Sequence, residues 1–355
     1  MDDFLIIGGG IAGTSAGARL AQFCTVTLLE AETALGYHAS GRSAALYEPN
    51  YGPAAIRALS HASADEFHAS GLLTPRGMLF VGKAGDEDTL ARHIAEFELE
   101  PLSPAEATRL LPVLDPDRVT CAGHHEAAWD VDTDLMIQRY ARALRQNGQI
   151  VTGARVDAIR RTATGWEVTA KGATYAARVL VNAAGAWADE IAKAAGIAPL
   201  GLIPKRRSMA RVAAPEGHDP RSWPMTLGAG EAWYMKPDAG ALLISPADAT
   251  PCDPHDAWAD DMTLAEGIAG WEEHVTTPVA RMLANWAGLR TFASDGEPVI
   301  GPAPADPAFL WCAGQGGYGF QSAPAASRLL ADLAAGRAPE LDPAVIAAVS
   351  PARFA

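Results

Sequence analysis

Phe4-Leu5-Ile6-Ile7 runs directly into Gly8-Gly9-Gly10-Ile11-Ala12-Gly13, and no other stretch of the chain restricts its fold as strongly. Four apolar residues without alternation suit a strand buried on both faces of a parallel sheet. An alanine-rich helix follows to about Ala21, then Val26-Thr27-Leu28-Leu29-Glu30, which completes one βαβ unit. In Gly8-x-Gly10-x-x-Gly13 the first glycine makes the turn, the second admits a pyrophosphate against the backbone, and the third lets helix and strand pack closely. The helix start then offers free N–H groups and partial positive charge to phosphates. Glu30 lies 22 residues after Gly8, at the end of the second strand, where a carboxylate accepts hydrogen bonds from a ribose. Strand, helix, strand and acid together point to dinucleotide binding. The unit alone does not separate FAD from NAD. The polar insertion Gly36-Tyr37-His38-Ala39-Ser40-Gly41-Arg42-Ser43-Ala44-Ala45 offers hydroxyls and a cation where a nicotinamide dehydrogenase passes to its next helix, and it favours FAD.

Length and charge bound the rest. A chain of 355 residues exceeds what one core comfortably serves, so two lobes are expected. Apolar residues at 49 % and charged residues at 20 % exclude disorder as the main state. A net charge of −14 repels phosphate backbones and anionic lipid, so neither nucleic acid nor a membrane surface is expected as a main partner. The acidic start, Met1-Asp2-Asp3, lacks the basic residues of a secretory signal, and no run reaches the roughly 18 apolar residues of a membrane span. Cys24, Cys121, Cys252 and Cys312 form no Cys-x-x-Cys, which fits a reducing compartment; a cytoplasmic location is the default.

Further along, segment 84–111 reads as one charged helix ending at Pro112, and 134–147 as a helix with Asp132, Thr133 or Asp134 as its cap and Gly148 as its stop. Trp166–Thr169 and Arg178–Asn182 read as strands. Arg211–Ala213, Ala232–Met235 and Ala241–Ile244 read as strands of a separate sheet. Leu310–Ala313 is one more buried strand before a second glycine-rich turn and a helix over about 323–335. Asp130-x-Asp132-x-Asp134 resembles the start of a calcium loop, but Leu135 and Ala141 stand where glycine and glutamate are needed, so helix capping is the reading. His124-His125 has no partner at metal spacing and reads as surface; no metal is expected.

Several longer motifs then occur in order: GGGIAG, GYHASGRSAA at 36–45, DVDTD at 130–134, VNAAGAW at 181–187, PKRRS at 204–208, WYMKPDAG at 233–240, WAGLR at 286–290 and GQGGYGFQ at 314–321. With them the chain resembles the flavoprotein family of D-amino-acid and glycine oxidases, most closely the bacterial FAD-dependent D-arginine dehydrogenases. The resemblance implies an α/β fold, with a Rossmann-type FAD-binding lobe interleaved with an α+β substrate lobe on a mostly antiparallel sheet. The FAD lobe would comprise 1–75, 140–200 and 285–355, and the substrate lobe 76–139 and 201–284. It implies noncovalent FAD, contacted by Gly8, Gly10, Ile11, Ala12, Gly13, Glu30 and Ala31 in the opening unit and by Ser40, Arg42, Ser43 and Ala44 in the insertion. Val156, Ala184, Gly185 and Trp187 would follow, then Arg290, Gly316, Gly317, Tyr318, Gly319 and Gln321. The N-terminus of the last helix would stabilise negative charge on the reduced flavin.

An α-amino acid is best held by guanidinium forks on its carboxylate. By resemblance Arg207 and Arg290 take that role with the Tyr234 hydroxyl, while Tyr51 and the Gly317 carbonyl stand near the amine. Alone, Lys205-Arg206-Arg207 would read as a solvated basic turn, and Tyr51 and Tyr234 as core aromatics. No side chain is marked as a general base. The side-chain pocket would be formed by Leu46, Glu48, Met78 and Glu231. Met78 stands where the D-arginine enzymes carry an acid, and Leu46 where they carry a histidine, so hydrophobic D-amino acids are expected before D-arginine. Glu48 and Glu231 could still meet a basic group. The expected activity is FAD-dependent oxidative deamination of a D-amino acid substrate, with an unidentified electron acceptor (oxygen, quinone or another carrier). Its rivals are oxidation of a glycine- or sarcosine-like secondary amine or a 2-hydroxy acid, a nicotinamide dehydrogenase, and a flavin-binding scaffold or sensor.

Overall fold

In the computed structural model, which describes residues 1–355, the glycine turn leads from a central strand of a parallel sheet into helix Ile11–Leu20, which returns to the neighbouring parallel strand. Strand Asp2–Ile7 pairs in parallel with Val26–Leu29 on one side and Ala173–Asn182 on the other. Gly148–Val151 extends the sheet beyond Val26–Leu29, and Asp306–Ala313 extends it beyond Ala173–Asn182, both in parallel. Val156–Arg161, Trp166–Ala170 and Val299–Ala303 add antiparallel margins, for eight strands in all. The unalternating apolar runs are explained by cover on both faces. Phe4 and Ile6 pack against helices Ile11–Leu20 and Gly319–Ala334, whereas Leu5 and Ile7 pack towards Trp166, Phe309 and Trp311.

The second sheet has nine strands and is antiparallel except for Met225–Gly228 beside Met78–Lys83. Its longest ladder joins Ile203–Ala213 to Met282–Phe292, with Lys205 opposite Arg290 and Arg207 opposite Gly288. Helix Asp261–Glu272 packs Leu264 and Trp271 into a core with Trp223, Trp233 and Met235. A small third sheet of Leu46–Tyr47, Trp129–Val131 and Leu73–Pro75 lies between the two. It is tied to the second by Asp130, which accepts from Arg76 Nε at 2.8 Å and from the buried Lys236 Nζ at 2.8 Å.

One expected helix is two. Glu87–Phe97 ends at Glu98, whose φ of +54° is left-handed, and Glu100–Leu102 is a strand. A new helix, Pro104–Leu110, opens at a capping box between Ser103 and Glu106. Pro101 and Pro104 explain the break, because proline cannot donate within a helix interior but suits its first position. The 134–147 helix spans Thr133–Leu144, with Asp132 as the cap accepting from the Leu135 N–H at 2.9 Å, and the last helix starts earlier, at Gly319. No helix is long and apolar enough to cross a membrane.

Leu144 closes helix Thr133–Leu144 onto the first sheet's core and is fully buried. Leu144→Ala should lower unfolding free energy by roughly 2–5 kcal/mol, measured by denaturant titration, since the cavity cannot fully collapse.

Candidate active site

The turn that opens the site tolerates no side chains at its two critical points. Gly8 has φ of +111°, and a Cβ there would lie 2.3 Å from the Ala183 carbonyl oxygen; a Cβ on Gly13 would lie 1.9 Å from the Gly8 carbonyl oxygen. Helix Ile11–Leu20 is entered through Gly10 with no side-chain cap, and the Ile11 N–H donates to Ser40 Oγ at 3.0 Å. Glu30 is buried, with Oε2 accepting from the Gly9 N–H at 2.6 Å and Oε1 from the Glu32 N–H at 2.8 Å. The backbone thus holds the acid in place beside the turn.

From this turn a channel runs between the sheets. Its first section is lined by Gly8–Gly10, Glu30, Ala31, Val156 and Ala184–Trp187. The second passes Ile11, Ala12, Ser40, Ser43, Ala44, Gly288–Thr291, Gly316, Gly317 and Gly319. Gly10, Ser40 and Arg42 line both. A glycine floor, two helix N-termini and a buried acid at one end of a long cleft fit an extended dinucleotide such as FAD. Four of the expected residues are placed otherwise than as simple cofactor contacts. Arg42 lines the cleft, yet its Nη1 donates to the carbonyls of Ala257 at 2.8 Å and Ala287 at 2.9 Å, and its Nη2 pairs with Asp256. Its charge is therefore neutralised within the protein. Gly13 lies beneath the turn, and Tyr318 stands edge-on to Tyr51 with centroids 5.2 Å apart; neither lines the channel. Gln321 belongs to the third section, where its Nε2 donates to the Tyr51 carbonyl at 2.8 Å.

That third section gathers Arg207, Arg290, Tyr234 and Gly317 at its junction with the second, and Tyr51 deeper within it. The ladder register explains the arginine pair: Arg207 opposes Gly288 and Lys205 opposes Arg290, so both guanidinium stems leave one face, diagonally adjacent. Arg206 pairs with Asp248 and Arg211 with Asp238, whereas Arg207 and Arg290 have no carboxylate partner. Arg207 is oriented by its Nε donating to the Asp248 carbonyl at 2.7 Å. A Cβ on Gly317 would come within 2.7 Å of Arg290 Nη1, so glycine is what lets the loop cross the guanidinium. The Tyr234 hydroxyl is buried without a hydrogen-bond partner. Burial alone would raise its pKa, but the charges of Arg290 and then Arg207 outweigh that and draw it below the ordinary value of 10. Burial dominates at Tyr51, whose pKa is raised.

Leu46, Met78, Met225 and Leu227 form an apolar wall at the far end, with Glu48 and Glu231. Burial raises the Glu231 carboxyl pKa, and His93, Arg207 and Arg290 offset part of that shift. Glu48 is fully buried; its Oε1 accepts from the Asn50 N–H at 2.9 Å, and its Oε2 lies 2.9 Å from His125 Nε2. The expectation that His124 and His125 are surface residues is thus corrected: both are half-buried on strand Val119–His125, where Met78 pairs with His125. Sequence reasoning also missed Met225 and Leu227, which reach the site through strand pairing, and Asp248, a loop residue held there by hydrogen bonds from Arg207 and Ser208; none carries a motif.

The family model for FAD dependent oxidoreductases (DAO) matches residues 3–333. A glycine oxidase of Pseudomonas aeruginosa is 29 % identical over 374 residues, covering 96 % of each chain. The crystal structure of glycine oxidase from Geobacillus kaustophilus matches with a TM-score of 0.83 at 23 % identity over 97 % of each chain. A D-amino acid dehydrogenase of Xanthobacter autotrophicus is 44 % identical, but over 70 residues, 20 % of this chain and 16 % of that one. A glycine oxidase is thus matched along the whole chain, whereas the match to a D-amino acid dehydrogenase is short, and the expected special likeness to D-arginine dehydrogenases is not carried by it.

Gly13→Ala should weaken FAD retention at least tenfold, read by flavin absorbance after gel filtration, because the new Cβ cannot coexist with the Gly8 carbonyl.

Proposed function

The chain belongs to the DAO family of FAD dependent oxidoreductases, and on that premise we propose that it oxidises small carboxylate-bearing amines, glycine-like or secondary amines first. The observation that carries this reading is the convergence of Arg207 and Arg290, both without a carboxylate partner, where the glycine-floored channel meets the third section. An unpaired cation pair beside an unpartnered phenol is a receptor for a carboxylate. End-to-end likeness to a glycine oxidase supports the glycine or secondary-amine substrate over a D-amino acid. The apolar wall of Leu46, Met78, Met225 and Leu227 gives the D-amino-acid reading its own support, since it suits a hydrophobic substituent on carbon as well as on nitrogen.

FAD held along this channel would supply a hydride acceptor for the carbon between carboxylate and nitrogen, and hydrolysis of the oxidised product would give a 2-oxo acid and the amine. Arg290 and Arg207 would hold the carboxylate in two-point contact, which fixes the substrate's rotation as well as its position. Tyr234 would add a third donor. The Gly317 carbonyl and Tyr51 would face the nitrogen, with Glu231 as the uncommitted carboxyl nearest its positive charge. The N-terminus of helix Gly319–Ala334 would stabilise negative charge in the second section.

Anaerobic mixing of the yellow protein with glycine, N-methylglycine, other N-alkylglycines and a set of D- and L-amino acids tests the reading. Rapid flavin bleaching is expected with N-alkylglycines or glycine. Bleaching by D-amino acids alone would return the assignment to D-amino-acid oxidation, and bleaching by no amine would leave a flavin-binding scaffold. Arg290→Ala should weaken every carboxylate roughly a hundredfold, measured by perturbation of the flavin spectrum. For a simple carboxylic acid without an amine, affinity should fall as pH rises, because deprotonation of Tyr234 sets a negative charge beside the ligand, and it should begin to fall below pH 10. Tyr234→Phe should remove that alkaline loss and weaken binding at neutral pH about fivefold.

A further inference from the structure

Two carboxyls line the third section, and they differ in what holds them. Glu231 stands on a turn whose own φ is +54°, half-buried and open to the cavity. Glu48 follows strand Leu46–Tyr47, and its side chain is 1 % exposed. A carboxylate so buried must be paired, since leaving it uncompensated costs several kcal/mol. The His125 imidazole faces it: Nε2 lies 2.9 Å from Oε2, an ion-pair contact without hydrogen-bond geometry, and neither atom has any other partner. The imidazole side chain is itself only 11 % exposed, so water does not substitute for it.

The pair sits where the pocket is defined. His125 opposes Met78 in the strand ladder, and Met78 is part of the apolar wall. The Glu48 carbonyl accepts from the Tyr51 N–H at 3.1 Å, so the same residue anchors the turn that presents Tyr51. Met78, Leu46, Met225 and Leu227 would offer a cationic substituent no counter-charge; of the two carboxyls lining the section, Glu231 would face the substrate nitrogen, and Glu48 is held against His125.

We infer that His125 is a specificity-determining residue: by occupying Glu48 it keeps the far end of the pocket selective for neutral, apolar substituents against cationic ones. The inference rests on the carboxylate-binding reading of Arg207 and Arg290, which fixes the end of the ligand opposite the wall. It makes the preference a property of a residue that need not touch the ligand, and it turns removal of a histidine into a gain of affinity for cations.

The probes are hexanoate and 6-aminohexanoate, acids that differ by a terminal ammonium, titrated into the FAD-loaded protein while the flavin spectrum is followed. The unaltered protein should bind hexanoate more tightly. His125→Ala should move the ratio of affinities towards 6-aminohexanoate by at least about tenfold, because the ammonium replaces the lost partner of a buried carboxylate. Added imidazole should reverse the shift, and the double variant His125→Ala with Glu48→Gln should lack it. An unchanged ratio in folded, yellow His125→Ala overturns the inference, as does an equal shift in the double variant. If His125→Ala does not load FAD, His125→Asn carries the same comparison, since its shorter side chain does not reach Glu48. Failure of both acids to bind the unaltered protein overturns the carboxylate reading instead, and the inference with it.

Discussion

Between Gly8 and Gly13 the backbone closes on itself so tightly that a Cβ at Gly13 would stand 1.9 Å from the Gly8 carbonyl oxygen. That contact sets the angle at which helix Ile11–Leu20 leaves strand Asp2–Ile7, and with it the direction of the helix N-terminus. Gly8 is equally pressed from the other side, where the Ala183 carbonyl approaches from the neighbouring parallel strand. The opening turn and the Ala183–Trp187 segment are thus fitted to one another, and the channel between the two sheets follows the seam they define. Glu30 strengthens the same seam, since its carboxylate binds the backbone of Gly9 and Glu32.

Around the channel, charge is distributed by pairing several cations and leaving two in the cavity without a carboxylate. Arg42, Arg76, Arg206 and Arg211 each meet a carboxylate. Arg207 and Arg290 do not, and their positive field draws the Tyr234 pKa down against the opposing effect of burial. An overall charge of −14 therefore describes the surface and conceals a positive centre. The arrangement suits a protein that admits an anion to one place and discourages anions elsewhere.

Much of the first sheet was legible because continuous apolar runs and glycine turns leave few alternatives. Phe4–Ile7, Val26–Leu29 and Leu310–Ala313 all lie in strands buried on both faces. The 84–111 segment was misread because its charge pattern is helical throughout, and only the prolines at 101 and 104 mark the strand between its helices. The partner of Arg42 was illegible for a different reason. A cation in a polar loop suggests a ligand, yet Asp256, more than 200 residues away, takes the charge.

By itself the sequence determined the glycine turn, the acid that follows it and the set of residue types at the candidate site, because each depends on local backbone demands or on a motif. Tertiary structure alone decided which arginines are free. Arg206 and Arg207 are neighbours in sequence, and strand alternation sends one to the Asp248 carboxylate and lets the other, held only by the Asp248 carbonyl, reach the cavity. It also decided that Glu48 is occupied, since His125 reaches it from a strand of the second sheet. Pairing across sheets is set by register and packing summed over many residues, and no local pattern encodes the partner of a single side chain.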